Sequence, residues 1–176
     1  MRHPLLVSAV AAIALIIAGL ALAAGQKDTF KLTATLKASS EVPKPTGVRA
    51  GAAGTFVGTA VELANDKASL TWRLTFSKLT GRAAAAHIHI GKPGKAGNVM
   101  VALCGPCKNN HKGAATISHA QLATIRAGRV YVNVHTAKNA AGEIRGQVKA
   151  TETASDDSPP PPPPPPGDEP PPSPYP

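Results

Sequence analysis

Apolar and polar side chains alternate strictly in residues 70–76, where Leu70, Trp72, Leu74 and Phe76 are separated by Thr or Arg. A period of two is typical of a β-strand with one buried face and one solvent-exposed face. Residues 30–37 show the same alternation. Aromatic residues make up only 3% of the chain, so the core must consist mainly of Val, Leu, Ile and Ala. The pattern predicts a mostly-β protein with a thin core between sheets.

The rest of the central chain contains further short strands and one helix. Ser118 can cap this helix, Leu122 and Ile125 lie three apart on one face, and Gly128 can end it. Residues 91–97 and 108–113 are predicted loops. About seven strands with one short helix predict an antiparallel Greek-key β-sandwich or barrel, immunoglobulin-like or superoxide-dismutase-like. The additional predicted strands are 55–63, 85–90, 99–103, 129–135 and 143–149.

Residues 1–24 have the composition of an export signal. Arg2 provides a positive start, residues 5–22 form an apolar run, and Ala21 and Ala23 flank Leu22 in a small-x-small cleavage site. The run is long enough that an uncleaved membrane anchor is the alternative. Either reading places residues 25–150, the predicted β domain, outside the cytoplasm: secreted, periplasmic or at the cell surface.

The composition changes after Ala150. Residues 151–176 contain an unbroken proline run at 159–166, five acidic residues and no basic residue. Proline cannot donate a hydrogen bond to a β-ladder, so this segment is predicted to be an extended, disordered tail without a core. A solvated spacer is preferred over a stalk that crosses a cell wall or a ligand for proline-binding proteins.

The predicted β domain is strongly basic. Residues 25–150 contain 18 Lys and Arg against 5 Asp and Glu. Such a surface attracts anionic polymers. The basic residues are scattered singly and are not interleaved with aromatic residues, which argues against nucleic acid. The predicted partner is an unidentified protein or an anionic cell-surface polymer, with membrane contact only through an uncleaved N-terminal segment.

Three histidines are predicted to lie on polar strand faces. His87 and His89 are two apart on one strand, so both point to the same face. In residues 129–135 the valines form the buried side, which leaves Tyr131, Asn133 and His135 on the opposite side. If the two strands are neighbours, His87, His89 and His135 converge, and three imidazoles can hold zinc or copper with one open position.

A structural cluster is the preferred reading of the same residues. In that reading the histidines, Asn133, Glu143 and Arg145 hydrogen-bond one another and fix the strand register. Glu143 and Arg145 share one strand face and could form an ion pair or hold an anion. A His-x-His on a strand is distantly similar to copper–zinc superoxide dismutase, but the carboxylate of that family's zinc site has no counterpart here.

Cys104 and Cys107 are spaced as in a thioredoxin redox motif. That chemistry requires the first cysteine at the start of a helix, where the helix dipole lowers its pKa. Residues 108–113 are instead a predicted loop. In an exported protein the pair is expected to form a local disulfide, with a metal pair completed by His111 and a redox site as alternatives.

Several longer motifs resemble one known family. These are residues 86–91, 127–136 and 139–147, together with an opening strand from Phe30 that is followed by Glu-Val-Pro at 41–43. They are similar to the CHRD domain, first described in chordin and found in many microbial secreted proteins. The resemblance covers roughly residues 30–149. One position departs from it, because Ala140 stands where the family often has proline.

The resemblance implies a mostly-β extracellular domain and little about function, because the family has no generally established activity. Chordin antagonises bone morphogenetic proteins, but this chain lacks chordin's cysteine-rich modules, so that role is not carried over. We interpret the chain as an exported, non-enzymatic CHRD-type binding or structural module. The alternative is an extracytoplasmic copper- or zinc-binding protein using the three histidines, in which superoxide dismutase activity becomes the enzyme hypothesis.

Overall fold

Nine β-strands and one short α-helix make up the part of the chain that the structure describes. The computed structural model describes residues 27–153. Helix α1 spans His119–Arg126, and a 3-10 turn at Ala38–Ser40 follows the first strand. The strands are β1 (Thr29–Lys37), β2 (Ala53–Glu62), β3 (Lys67–Ser77), β4 (Ala83–Ile90), β5 (Val99–Cys104), β6 (His111–Ser118), β7 (Val130–Thr136), β8 (Ile144–Gln147) and β9 (Lys149–Thr153).

Every strand pairing is antiparallel, and the order across the sheet is β5-β4-β7-β8-β1-β2-β3-β6. Strand β9 pairs with the first half of β1, and β8 meets β1 only at Lys37 and Arg145. The end strands β5 and β6 are consecutive in the chain and contact each other, so the sheet nearly closes into a barrel. The predicted mostly-β sandwich or barrel with one short helix is confirmed.

The alternating residues fill the core as the sequence pattern predicts. Even-numbered residues of β1, β2 and β3 are buried on the inner face, among them Leu32, Phe56 and Leu70, while their odd-numbered neighbours face outward. Helix α1 adds Leu122 and Ile125, both fully buried. Burying side chains of this size contributes about 1.5–3 kcal/mol each.

The helix begins where the sequence predicts. The Ser118 hydroxyl accepts a hydrogen bond from the Gln121 backbone amide at 3.2 Å, and the Gln121 side chain accepts one from the Ser118 amide at 2.8 Å. This reciprocal pair is a capping box, which satisfies backbone donors that the first helical turn leaves free. Gly128 follows the helix at φ +65°, a left-handed conformation that favours glycine.

Two local predictions are wrong. The segment predicted as a loop at 108–113 contains the start of β6 at His111, and β6 pairs with β3 over its whole length. The single strand predicted at 143–149 is two strands, β8 and β9. The chain changes partner at Val148, whose amide donates to Val130 O at 3.0 Å while its side chain enters the core.

The predicted signal segment and almost all of the predicted proline-rich tail lie outside the described residues. Strand β9 extends three residues past the compositional change, to Thr153. Among residues 27–153, no helix has the length and apolarity required to span a membrane.

Gly113 explains why β6 has the composition of a loop. A Cβ at this position would lie 2.3 Å from Cζ2 of Trp72, so only glycine allows the strand to cross the indole ring. We predict that Gly113→Ala lowers the free energy of unfolding by about 1–3 kcal/mol through overpacking, although alanine normally suits a strand better than glycine. Urea denaturation measures this change.

Ala114→Thr is the matched control for that variant, because Ala114 is the next residue of β6 and is exposed. We expect it to change the free energy of unfolding by less than about 0.5 kcal/mol. Equal stability of Gly113→Ala and the unmodified protein would contradict the packing account.

Candidate metal centre

The three histidines meet on the outer face of the β4–β7 pair. The two strands are neighbours, with His89 opposite Tyr131 and Ala85 opposite His135. Ile88 and the valines of β7 fill the core, so the alternate residues of both strands face outward. Each histidine offers one ring nitrogen, and these three atoms lie within 4.8 Å of one another. Three nitrogen ligands of this kind are a common set for zinc and copper.

Backbone carbonyls determine where two of the histidines carry their protons. His89 Nδ1 lies 2.9 Å from Gly97 O, and His135 Nδ1 lies 2.9 Å from Ala140 O. A carbonyl can only accept, so each Nδ1 must carry the hydrogen, which leaves each Nε2 of the neutral ring with a bare lone pair. A hydrogen bond from the distal ring nitrogen is the usual way in which a protein orients a metal-ligating histidine.

The third histidine closes the cluster. His87 Nδ1 lies 3.0 Å from His135 Nε2 and donates to it, since that nitrogen of His135 is the acceptor. His89 Nε2 is buried and has no hydrogen-bond partner within the described residues. A cation between the rings would take the place of the shared proton and would also satisfy the unpaired nitrogen of His89.

The surroundings of His87 and His135 favour their neutral forms. Burial lowers the pKa of His87, and the neighbouring rings of His135 and His89 lower it further. Burial also lowers the pKa of His135, with His89 adding to the effect and the bond to Ala140 O opposing it. Only the neutral ring has a lone pair for a metal, so these shifts keep ligand atoms available below the ordinary histidine pKa.

The loop between β4 and β5, residues 91–98, is held over this face. The guanidinium of Arg145 donates to Lys92 O at 3.1 Å and to Lys95 O at 2.8 Å. The hydroxyl of Tyr131 accepts from the Gly97 amide at 3.3 Å. These contacts place Gly97, whose carbonyl orients His89.

Tyr131 lies between the histidine cluster and Arg145. Its ring stacks on His89, with the centroids 5.0 Å apart and the planes within 6°. The guanidinium carbon of Arg145 lies 3.3 Å from the Tyr131 ring centroid. Strand β7 runs between β4 and β8, so the two contacts reach Tyr131 from different strands. Tyr131 and Arg145 are both buried, and they therefore fix the ring of His89 from behind.

Glu41 is a buried carboxyl group that the sequence patterns did not single out as a site residue. Burial raises its pKa to about 7, and the Val42 amide, the charge of Arg145 and the Asn133 amide offset part of the effect. A Cβ at position 142 would lie 2.2 Å from Glu41 Oε1. Gly142 is therefore required for the carboxyl to enter. The only sequence signal was the Glu-Val-Pro motif after the opening strand.

Glu143 does not pair with Arg145. Its carboxylate accepts from the Thr80 amide at 2.7 Å, the Thr136 hydroxyl at 2.7 Å and the Asn139 side chain at 3.3 Å. Burial acts to raise the pKa of Glu143, but these hydrogen bonds outweigh it and the pKa is lowered. Glu143 therefore anchors the turn before β8, and the ion pair suggested by the sequence is absent.

Cys104 and Cys107 form the predicted disulfide. A turn and strand β6 follow the pair, so neither cysteine lies at a helix start, and the bonded sulfurs are not free to bind a metal with His111. His119 is the first residue of α1 and lies 3.9 Å from Glu62 Oε1, away from the three-histidine cluster.

Residues 32–148 match the family model of the CHRD domain. The chain belongs to the CHRD domain family. The matched segment contains the three histidines, Tyr131, Arg145 and Glu41, so the whole candidate centre lies within the CHRD domain. Comparison with curated proteins gave no match, and comparison with solved structures gave none either.

The carboxyl of Glu41 gives a pH-dependent prediction. Its pKa is about 7 in the folded protein and near 4.5 in the unfolded chain. The folded protein therefore binds the Glu41 proton more tightly than the unfolded chain does. The stabilisation of the folded state that results is complete below pH 4.5 and is lost as pH rises through 7. We predict that the stability of Glu41→Gln relative to the unmodified protein increases by about 2 kcal/mol between pH 4.5 and 7.5.

Urea denaturation at the two pH values measures this difference, and histidine titration cancels because both proteins contain the same histidines. Glu152→Gln removes one exposed carboxyl and controls for net charge. A stability difference that stays constant across this range would show that Glu41 is not a neutral buried acid near pH 4.5.

Proposed function

We propose that this protein is an exported CHRD-type binding module that holds one copper or zinc ion through His87, His89 and His135. The observation that carries the proposal is the bare Nε2 of His89, which is buried, oriented by Gly97 O and unpaired. A buried acceptor without a partner costs about 1–3 kcal/mol, and a bound cation removes that cost.

A metal ion explains the cluster better than a structural role alone. A structural histidine normally satisfies both ring nitrogens, as His135 does here, whereas the Nε2 of His89 is buried without a hydrogen-bond partner within the described residues. The loop carbonyls, Tyr131 and Arg145 then act as the supporting contacts that orient metal ligands. The general order of divalent affinities leads us to expect tighter binding of Cu²⁺ than of Zn²⁺.

Membership of the CHRD family supports the more general part of this proposal, the role of a binding or structural module. The disulfide and the family both support a location outside the cytoplasm, since disulfides persist in oxidising compartments. Three protein ligands leave a tetrahedral ion one open position, which a protein partner or a small molecule could occupy. Superoxide dismutase activity is a question for the copper-loaded protein once metal binding is measured.

The direct test is the metal content of the mature chain, residues 25–176, purified without a histidine tag. After incubation with copper or zinc and desalting, we predict about one equivalent of bound metal per chain, measured by inductively coupled plasma mass spectrometry. His89→Ala should reduce this to background, because it removes the buried ligand.

His111→Ala is the matched control, since His111 lies at the start of β6 outside the cluster, and it should retain the metal. Circular dichroism verifies that both variants are folded. Folded, unmodified protein that takes up neither copper nor zinc would overturn the proposal and leave the histidines structural.

A further inference from the structure

A second outer face of the sheet carries a regular array of hydroxyl and basic side chains. It is formed by β9, β1, β2, β3 and β6, whose inner residues fill the core. We call it the threonine–lysine face. It consists of the outward-facing residues of these five strands, most of which are Thr, Lys or Arg.

One row of this face crosses five strands in exact register. Lys149 pairs with Thr33, Thr33 with Val57, Val57 with Arg73, and Arg73 with Lys112. Neighbouring strands lie about 4.8 Å apart, so the row extends about 19 Å and has cations at both ends. Directly paired residues project to the same side of a sheet, which makes the row one continuous surface.

The face contains six exposed cations and no carboxylate. The cations are Lys31, Lys37, Lys67, Arg73, Lys112 and Lys149. The six acidic residues of the described chain lie elsewhere. Two are the buried Glu41 and Glu143, three lie at the strand ends near the β2–β3 turn, and Glu152 projects with Phe30 to the opposite side of the sheet.

Arg73 and Lys112 are like charges at directly opposed positions. Such a pair destabilises a sheet unless an anion lies between the two groups. Neither residue forms an ion pair within the described residues. The arrangement therefore favours an external anion, and the neighbouring hydroxyls add donors and acceptors for a polar ligand.

The composition of the face selects the kind of polyanion. It carries no aromatic side chain, whereas single-stranded nucleic acid is bound largely by base stacking on aromatic residues. It also lacks the large aromatic and leucine side chains that insert into a lipid surface, since Val57 is the one large apolar side chain that these described strands expose on this face. Sugar hydroxyls and repeated carboxylates match its hydroxyls and its spaced cations.

We propose that the threonine–lysine face binds a linear acidic polysaccharide, whose carboxylates contact Lys149, Arg73 and Lys112 along the cross-strand row. This site is separate from the three-histidine cluster, which lies on the outer side of β4 and β7. The polymer would attach the module to a surface, and the histidine cluster would remain accessible.

The test measures the Kd of the mature chain for polygalacturonate by titration calorimetry, with a chelator present so that no metal ion bridges the polymer. The triple variant Lys149→Thr, Arg73→Thr and Lys112→Thr should weaken binding about tenfold, as expected for losing three exposed charge contacts. Binding of the unmodified protein should also weaken steeply when the salt concentration is raised from 50 to 300 mM, a range that spans the physiological ionic strength of about 150 mM.

A control triple variant removes the same charge from exposed positions away from the face: Lys44→Thr, Arg82→Thr and Lys108→Thr. Its Kd should change less than about threefold, since only the general field of the protein is reduced. Equal weakening by the two triple variants, or no polygalacturonate binding by the unmodified protein, would overturn the proposal. DNA that binds as tightly as polygalacturonate, compared at the same concentration of anionic groups, would also overturn the polysaccharide assignment.

Two further measurements separate this proposal from a structural role and from the metal site. Lys112→Thr should leave the thermal unfolding temperature unchanged or raise it, because it removes a like-charge pair; a fall of several degrees would assign Lys112 a structural role instead. His89→Ala should retain polygalacturonate binding. Loss of that binding in this variant would contradict the separation of the two sites.

Discussion

The buried guanidinium of Arg145 connects the elements that hold the three histidines. It donates to two carbonyls of the loop at 91–98 and lies against the ring of Tyr131. That ring stacks on His89, and the same loop supplies the carbonyl that orients His89. Removing the guanidinium would therefore loosen the loop, the tyrosine and the ligand together. A buried cation is costly in itself, and here the loop carbonyls that accept from the guanidinium and the ring of Tyr131 offset the cost.

The two outer faces of the sheet have different physical characters. Over β4 and β7 a loop covers the strands, burial lowers the pKa values of His87 and His135, and hydrogen bonds to backbone carbonyls fix the rings of His89 and His135. Over β1, β2 and β3 the strands are open to solvent and carry short hydroxyl side chains with scattered cations. A fixed, partly buried site suits one small ion, whereas an open and regular surface suits a repeating polymer.

Local alternation predicted most of the strands and the shared outward direction of the histidines on each strand, because side-chain direction in a strand depends only on sequence parity. Alternation could not identify long-range partners. Glu143 has the parity of Arg145 but lies just before β8, where the turn directs it to Thr80 and Thr136. Glycine at position 113 is a residue type typical of loops, but here it is required by the ring of Trp72, which is 41 positions away in the sequence. The proton positions of His89 and His135 depend on loop carbonyls that no local pattern reveals.

The metal centre depends on backbone carbonyls that fix the tautomers of His89 and His135, and nitrogen-15 NMR of the imidazole rings measures these tautomers directly. We predict that both residues of the metal-free protein carry the proton on Nδ1 at neutral pH, with an unprotonated Nε2. One equivalent of Zn²⁺ should then shift the Nε2 resonances of both. Protonated Nε2 atoms, or ring spectra unchanged by Zn²⁺, would contradict a preorganised three-histidine site.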